Sequence, residues 1–463
     1  MSAEKWGIKL KKNILSSTNH NTPEWLRDAK FGIYTHWGIY SVHGTVPNTT
    51  WYSHFLYDGR EREVEHHIKT YGELQKFGYT DFIPMFTGEK FDADEWAECF
   101  KNAGAKFAGP VGEHHDGFSM WKTDLNKFNS FNMGPKRDVV AELEKAIRGH
   151  DMRFMVALHH AENYWFLSRV KGTDSMKPEF ETIFSKVGIW SKEKFAKFWL
   201  DKTIEVIDKF SPDMLWFDFG LKEIPDIYKQ KILKYYYNKG DVALTYKNRD
   251  LMVGSGTIDL ELGRYNDVQH NNWITDTTID AGEAWGYMNN AKYKTPISLI
   301  HYLIDNVAKN GMLLLNVGPK ADGTLPEEAK HILYKMGKWL KLNGEAIYGT
   351  TPWYASIEGP TKMEKNGGFT ESEELNYTTE DIRYTAKDNY IYATILARPK
   401  NEVTLKSVSF YLLETEIECI ELLGIDKKLN FKVCGEKIKV EIPYTNNLEY
   451  AFVLKITRKK III

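Results

Sequence analysis

Up to about Tyr348, short apolar runs alternate along the chain with stretches whose apolar residues recur every three or four positions. "AKFAGPVG" (105–112), "RFMVALHH" (153–160), "DMLWFDFG" (213–220) and "GMLLLNVG" (311–318) are nearly unbroken apolar runs that end in polar residues or glycine. That is the pattern of strands buried on both faces. "DVVAELEKAIRGHD", "SKEKFAKFWLDKTIEVIDKF" and "TPISLIHYLIDNVAKN" have helical spacing. In the second of these, Phe195, Phe198, Ile204 and Ile207 can share one face. The third opens on Thr295 followed by Pro296, a capping residue and then the residue best tolerated at the first helical position. Strand alternating with helix over roughly 300 residues predicts a parallel α/β fold, most simply a (β/α)8-like barrel.

The character changes after "WLKLNGEAIYGTTPW". Residues 356–381 are rich in Gly, Glu, Thr and Asn and read as a linker or long loops. "IRYTAKDNYIYATILA", "VTLKSVSFYLL", "IECIELLG", "LNFKVCGEKIKVEI" and "EYAFVLKI" follow as short strands, with turn signals at Lys387-Asp388-Asn389 and at Gly435. The expected organisation is a barrel domain over 1–350 and a C-terminal antiparallel β-sandwich over 351–463.

Composition narrows the function classes. A net charge of −2 without any basic block gives no footprint for nucleic acid or an anionic membrane surface. No apolar run approaches the ~18–20 residues of a membrane span. Three widely spaced cysteines do not make a disulfide framework. "MSAEKWGIKL" lacks the pattern of a signal peptide, which is compatible with a cytoplasmic protein or with a periplasmic or secreted one whose signal has been removed. Aromatic residues make up 14% of the chain. Their rings suit the apolar faces of sugars, and they also serve large cores.

In barrels of this kind the chemistry sits at the C-terminal ends of the strands. There the sequence offers His36 and Trp37 in "YTHWG", Trp51 and Tyr52 in "TWYSHF", His114, His115 and Asp116 in "GEHHDGF", His159 and His160 in "ALHHAEN", and Asp218 in "LWFDFG". Paired imidazoles could hold a metal, carry protons or bond sugar hydroxyls. Neighbouring residues on a strand point to opposite faces, so a pair needs a bulge or loop to chelate one ion. No HExxH or CxxC is present. Asp218, flanked by Phe217 and Phe219, is placed either as a nucleophile or as a cap of the next helix. Glycoside hydrolysis would need a second carboxyl group. Glu261, Asp276, Asp280 and Glu283 are the candidates downstream.

Six phrases, "KFGIYTHWGIYSV", "WYSHFLY", "EHHDGFSMW", "LWFDFG", "GMLLLNVGPKADGTLP" and "GKWLKLNGEAIYGT", occur in one order between Trp25 and Trp353. Together they resemble the α-L-fucosidases of glycoside hydrolase family 29. The resemblance implies an irregular (β/α)-barrel with a C-terminal sandwich, retaining exo-hydrolysis of terminal α-L-fucose from a glycan or glycoconjugate, and no metal or other cofactor. It makes Asp218 the nucleophile, and His36, His114, His115 and Trp51 the sugar-binding residues. His160, in "ALHHAENYW" where the family phrase is often Tyr-rich, and Trp285 are further candidates for the sugar. Phe118 and Trp121 read as core. Many members carry a Glu after a Trp in a phrase shaped like "WE…T…SWGY". Here that position, after Trp273, is Ile274. Other members have a Glu followed two residues later by Gly, which "DLELGRY" matches at Glu261 and Gly263, with Arg249 upstream as its companion. Glu261 is therefore the expected acid/base, and Glu283 the alternative. The missing acid at Ile274 also leaves open a fucose-binding protein without catalysis.

Overall fold

The computed structural model describes residues 20–45, 49–247, 250–282, 284–371, 375–408, 416–425 and 427–459. Eight short strands close a barrel in chain order: β1 Phe31–Thr35, β2 Phe107–Glu113, β3 Arg153–Leu158, β4 Met214–Phe217, β5 Ala243–Lys247, β6 Thr257–Asp259, β7 Trp273–Thr278 and β8 Gly311–Val317. Every adjacent pair is parallel, and β8 returns to β1 with Leu315 opposite Ile33. The described α-helices are α1 Glu24–Ala29, α2 Tyr52–Tyr57, α3 Glu61–Tyr71, α4 Ala93–Asn102, α5 Val139–Gly149, α6 Lys192–Phe210, α7 Asp226–Tyr237, α8 Pro296–Ala308 and α9 Glu327–Asn343. α4 to α9 follow β1, β2, β3, β4, β7 and β8. Among the described residues no α-helix separates β5 from β6 or β6 from β7.

Strand alternation builds two cores. Tyr34, Phe107, Met155, Ala157, Met214, Trp216, Ile274, Met312 and Leu314 fill the barrel interior. Ile33, Phe154, Val156, Leu215, Phe217, Leu313 and Leu315 face outward into the larger core beneath the helices. The interior is crowded: a Cβ on Gly32 would lie 2.2 Å from the Phe107 ring. On α6 the buried stripe runs through Phe195, Trp199, Thr203, Val206 and Phe210. Phe198 and Ile204, expected on that face with Phe195 and Ile207, fall at its margins because the four-residue step from Phe195 leads to Trp199. Thr295 caps α8 as its sequence predicts, accepting from the Ser298 N–H at 3.2 Å.

Beyond the barrel, a five-stranded sheet in the order β13-β16-β11-β10-β9 accompanies a three-stranded sheet in the order β12-β15-β14, all antiparallel. The strands are β9 Thr351–Glu358, β10 Ile382–Lys387, β11 Tyr390–Ile395, β12 Glu402–Leu405, β13 Ile417–Leu422, β14 Phe431–Cys434, β15 Lys437–Glu441 and β16 Phe452–Arg458. β9 occupies the start of the stretch read as linker. This unit is fastened to α8 and α9. Asp305 of α8 is buried and accepts from Arg383 Nε of β10 at 2.6 Å and from Lys309 Nζ at 2.6 Å. Trp339 Nε1 of α9 donates to the Ala451 carbonyl at 3.0 Å.

Candidate active site

The inward alternation continues past the ends of the strands and gathers polar side chains at the C-terminal mouth of the barrel. They line a narrow pocket bounded by His36, His114, His115, Asp218, Glu261 and Trp285. Its floor is a hydrogen-bonded layer. The Tyr34 hydroxyl donates to Asp276 Oδ2 at 2.9 Å, Trp216 Nε1 donates to Asp259 Oδ2 at 2.8 Å, and the Asp276 N–H donates to Asp259 Oδ1 at 3.1 Å. Lys247, the last residue of β5, rises through this layer. Its ammonium lies 3.3 Å from Asp276 Oδ2, 3.4 Å from Asp218 Oδ1 and 2.7 Å from Glu261 Oε2.

Asp218 follows β4 directly and is buried. Its Oδ2 accepts from His159 Nδ1 at 2.8 Å, and His115 Nε2 stands 3.3 Å from the same oxygen. Burial opposes the charge of this carboxylate. The Lys247 ammonium, His159 and the bonds from both histidines outweigh burial and hold it well below the usual carboxylate range. Glu261, two residues beyond β6, goes the other way. Burial pushes it up to about 7, with Lys247 pulling down and Asp276 and Asp218 adding to the rise. Two neighbouring carboxyl groups are thus pushed apart in pKa, Asp218 ionised at neutral pH and Glu261 protonated below about 7.

The histidines form one wall. Nδ1 and the backbone N–H of His36 both donate to Asn316 Oδ1, at 2.8 and 3.0 Å. The Asn316 amide is fixed in turn by donating to Thr278 Oγ1 and to the Trp285 carbonyl. In β2 the register slips between Val111 and Glu113. The extra residue turns Glu113 outward to Lys202 of α6 and swings His114 inward. His115 follows in a turn and also reaches the pocket. Gly117 closes that turn at φ +77, where a Cβ would lie 2.7 Å from Asn163 Nδ2. Asp116 points away, accepting from the Tyr79 hydroxyl at 2.7 Å and the Phe118 N–H at 3.1 Å. Burial, foremost, pushes His36, His114 and His159 below their ordinary range, so these imidazoles are neutral at pH 7. His114 Nδ1 and His159 Nε2 have no partner within the described residues. A ring nitrogen from each of His36, His114 and His159 lies within 4.8 Å of the other two. That spacing admits a cation and equally the hydroxyl protons of a sugar. Trp51 and Trp285 complete the mouth, the first stacked on Phe219 at 6.2 Å and the second 5.3 Å from His36, centroid to centroid.

Two family models match the chain: "Alpha-L-fucosidase" over residues 3–345 and "Alpha-L-fucosidase C-terminal domain" over residues 376–457. The chain belongs to the α-L-fucosidase family. It is 32% identical to the human plasma α-L-fucosidase over 450 residues, covering 91% of this chain and 86% of that one. It is 28% identical to the rat tissue α-L-fucosidase over 456 residues, covering 94% and 90%. The crystal structure of a Thermotoga maritima α-fucosidase in complex with fucose superposes with a TM-score of 0.77 at 31% identity, covering 95% of this chain and 97% of that one. The same barrel with C-terminal sheets underlies both.

Set against the family expectation, His36, Trp51, His114, His115, Asp218, Glu261 and Trp285 all line the pocket. His160 does not. It is turned out of the barrel onto α6, 3.3 Å from the Trp199 carbonyl and 3.4 Å from Thr203 Oγ1, and His159 takes the inward place. Counting in twos from the inward Met155 leads through Ala157 to His159, so the alternation in "RFMVALHH" already carried this assignment. Arg249 and Glu283 lie outside the described residues. Asp280 is a turn residue, accepting from the Gly282 and Ala284 N–H groups at 2.7 and 3.1 Å. Phe118 and Trp121 lie in the core. Lys247, Tyr34 and Trp216 were not singled out from the sequence at all.

Proposed function

We propose that this chain is an exo-acting α-L-fucosidase that releases terminal α-L-fucose with retention of anomeric configuration. The observation that carries this reading is the placing of the two carboxyl groups. Asp218 Oδ1 and Glu261 Oε2 flank one ammonium at 3.4 and 2.7 Å. They therefore lie within about 6 Å of each other, which suits the ~5–5.5 Å carboxyl spacing of retaining glycosidases better than the ~6.5–9.5 Å of inverting ones. Asp218, kept ionised, attacks the anomeric carbon and forms a fucosyl ester. Glu261, kept protonated, gives its proton to the departing oxygen and then takes one from the water that cleaves the ester. The neutral nitrogens of the histidine wall accept hydroxyl protons from the sugar, and Trp51 and Trp285 pack its apolar face. The floor closed by Tyr34 and Trp216 admits a chain end and not the middle of a chain, which supports exo action. The alternative of a fucose-binding protein without catalysis rests on the missing acid at Ile274. That side chain belongs to the interior core, and Glu261 supplies a carboxyl from β6 instead.

Proton NMR of the first-formed fucose tests the mechanism. The α anomer is expected before mutarotation, and the β anomer first would exclude a double displacement.

The state of Glu261 sets the pH response. An acid must be protonated to act, and this one titrates at about 7. kcat/KM should therefore hold below that pH and decline as pH rises through it, with the decline absent when the leaving group needs no proton. A limb that persists equally for such a leaving group would dissociate it from Glu261. Metal chelators should leave the rate unchanged. Loss of activity in EDTA, restored by a divalent ion, would turn the histidine wall into a metal centre.

A further inference from the structure

The two reacting carboxyl groups share one cation. The Lys247 side chain is buried, and besides its three carboxyl neighbours its ammonium lies 4.9 Å from the centre of the Trp216 ring and 5.7 Å from that of Trp285. A buried ammonium persists only when it is paired. A structural ion pair needs one carboxylate, and this cation reaches three. We propose that Lys247 is the counter-ion of nucleophile and acid/base alike: in the free enzyme it is shared between them, 3.4 Å from Asp218 Oδ1 and 2.7 Å from Glu261 Oε2, it pairs with Glu261 alone of the two as the fucosyl ester forms, and it is shared again as the ester is cleaved. This inference rests on the double-displacement reading above.

The charges balance at each step. In the first, an Asp218 oxygen bonds to the anomeric carbon, the bond from that carbon to the leaving oxygen breaks, and the Glu261 proton goes to that oxygen. Asp218 passes from anion to neutral ester and Glu261 from neutral acid to anion. In the second, a water oxygen bonds to the anomeric carbon, one water proton goes to Glu261, and the ester bond breaks to release Asp218 as carboxylate. One of the two is anionic throughout, so Lys247 always faces the same charge. The cation needs only to lean from its shared position toward Glu261 and back. An ion pair already in place in a dry site demands little reorganisation during reaction.

The surroundings keep it there. Asp276 from β7, held by the Tyr34 hydroxyl of β1, is a third partner that takes no part in the reaction. Asp259 from β6 is pushed well above the usual carboxylate range, first by burial and then by Asp276, and so adds no competing charge. His36, His114, His115 and His159 line the opposite wall of the pocket, with His115 and His159 on Asp218 Oδ2 and Lys247 on Oδ1.

The test is Lys247→Met beside Lys247→Arg in the full chain, assayed on a fucosyl disaccharide, whose leaving oxygen needs the Glu261 proton. Loss of a fixed charge that acts in the transition state typically costs ~10²–10³ in rate. Lys247→Met should lower kcat by that order while KM stays within a few-fold. Its alkaline limb in kcat/KM should move to higher pH, because the ammonium that pulls the Glu261 carboxyl down is gone. Lys247→Arg should restore the limb and most of the rate. Wild-type kcat in Lys247→Met, or a slower enzyme whose limb has not moved, would reduce Lys247 to packing and overturn the inference. If Lys247→Met does not fold, as judged by circular dichroism and fucose titration, Lys247→Gln is read by the same two criteria. A wild type inert on every α-L-fucoside would instead sink the proposed function.

Discussion

Replacing Asp218 by glycine should cut turnover of an aryl α-L-fucoside by on the order of 10⁴–10⁶-fold, the scale of losing a covalent nucleophile. Binding should survive. The groups assigned to the sugar hydroxyls are His36, His114 and His115, and His36 is held by Asn316 rather than by Asp218. Calorimetric titration with fucose should therefore give an affinity within a few-fold of wild type. The space left by the carboxylate faces the anomeric carbon, so azide can enter it and attack from the nucleophile's side. The product would be β-L-fucosyl azide, opposite in configuration to the substrate. An Asp218→Gly enzyme with a substantial part of wild-type activity and no azide response would remove Asp218 from the mechanism.

For Glu261→Ala the size of the loss should depend on the leaving group. Removing a general acid costs ~10²–10⁴ where the departing oxygen needs a proton, as in a fucosyl disaccharide. An activated aryl fucoside, whose phenolate departs unaided, should still form the ester quickly and then stall, because no base remains to activate water. Stopped-flow measurement would show a burst of phenol followed by a slow phase. Azide needs no base, so it should restore turnover on the aryl substrate and give the α-L-fucosyl azide. Equal losses on both substrates, without burst or rescue, would mean that the acid comes from another residue, Glu283 first among them.

What the sequence revealed and what it withheld follow from one geometry. The strand runs and helical stretches were legible because a barrel strand is apolar on both faces, and "MLWF" or "MLLLNV" cannot be mistaken for a solvated segment. Asp218 was legible because it ends such a run between two aromatics. The Lys247 cluster was not. Its members come from β4, β5, β6 and β7, and only barrel closure brings Asp218, Lys247, Glu261 and Asp276 together. In "LTYKNRD" a lysine at a strand end reads as a solvated charge. His160 shows the converse failure. It was expected beside the sugar, yet the two-residue period from Met155 puts His159 inward and His160 against α6. His114 and His115 broke that same period, because the bulge at Gly112 is invisible in the residue pattern of "PVGEHHD".

The fastening between Asp305, Lys309 and Arg383 bears on how such chains can be recombined. Barrel and sheets are separate family models, which invites their exchange between homologues as cassettes. A donor sheet domain without a cation at the place of Arg383 would leave the buried carboxylate of Asp305 with Lys309 as its one direct ion pair among the described residues. Breaking a buried pair by removing one partner costs about 3–5 kcal/mol, a large share of a typical domain's net stability. Viable crossovers should therefore carry α8 and β10 together, and the heritable unit is the joined pair of domains with its charged seam intact.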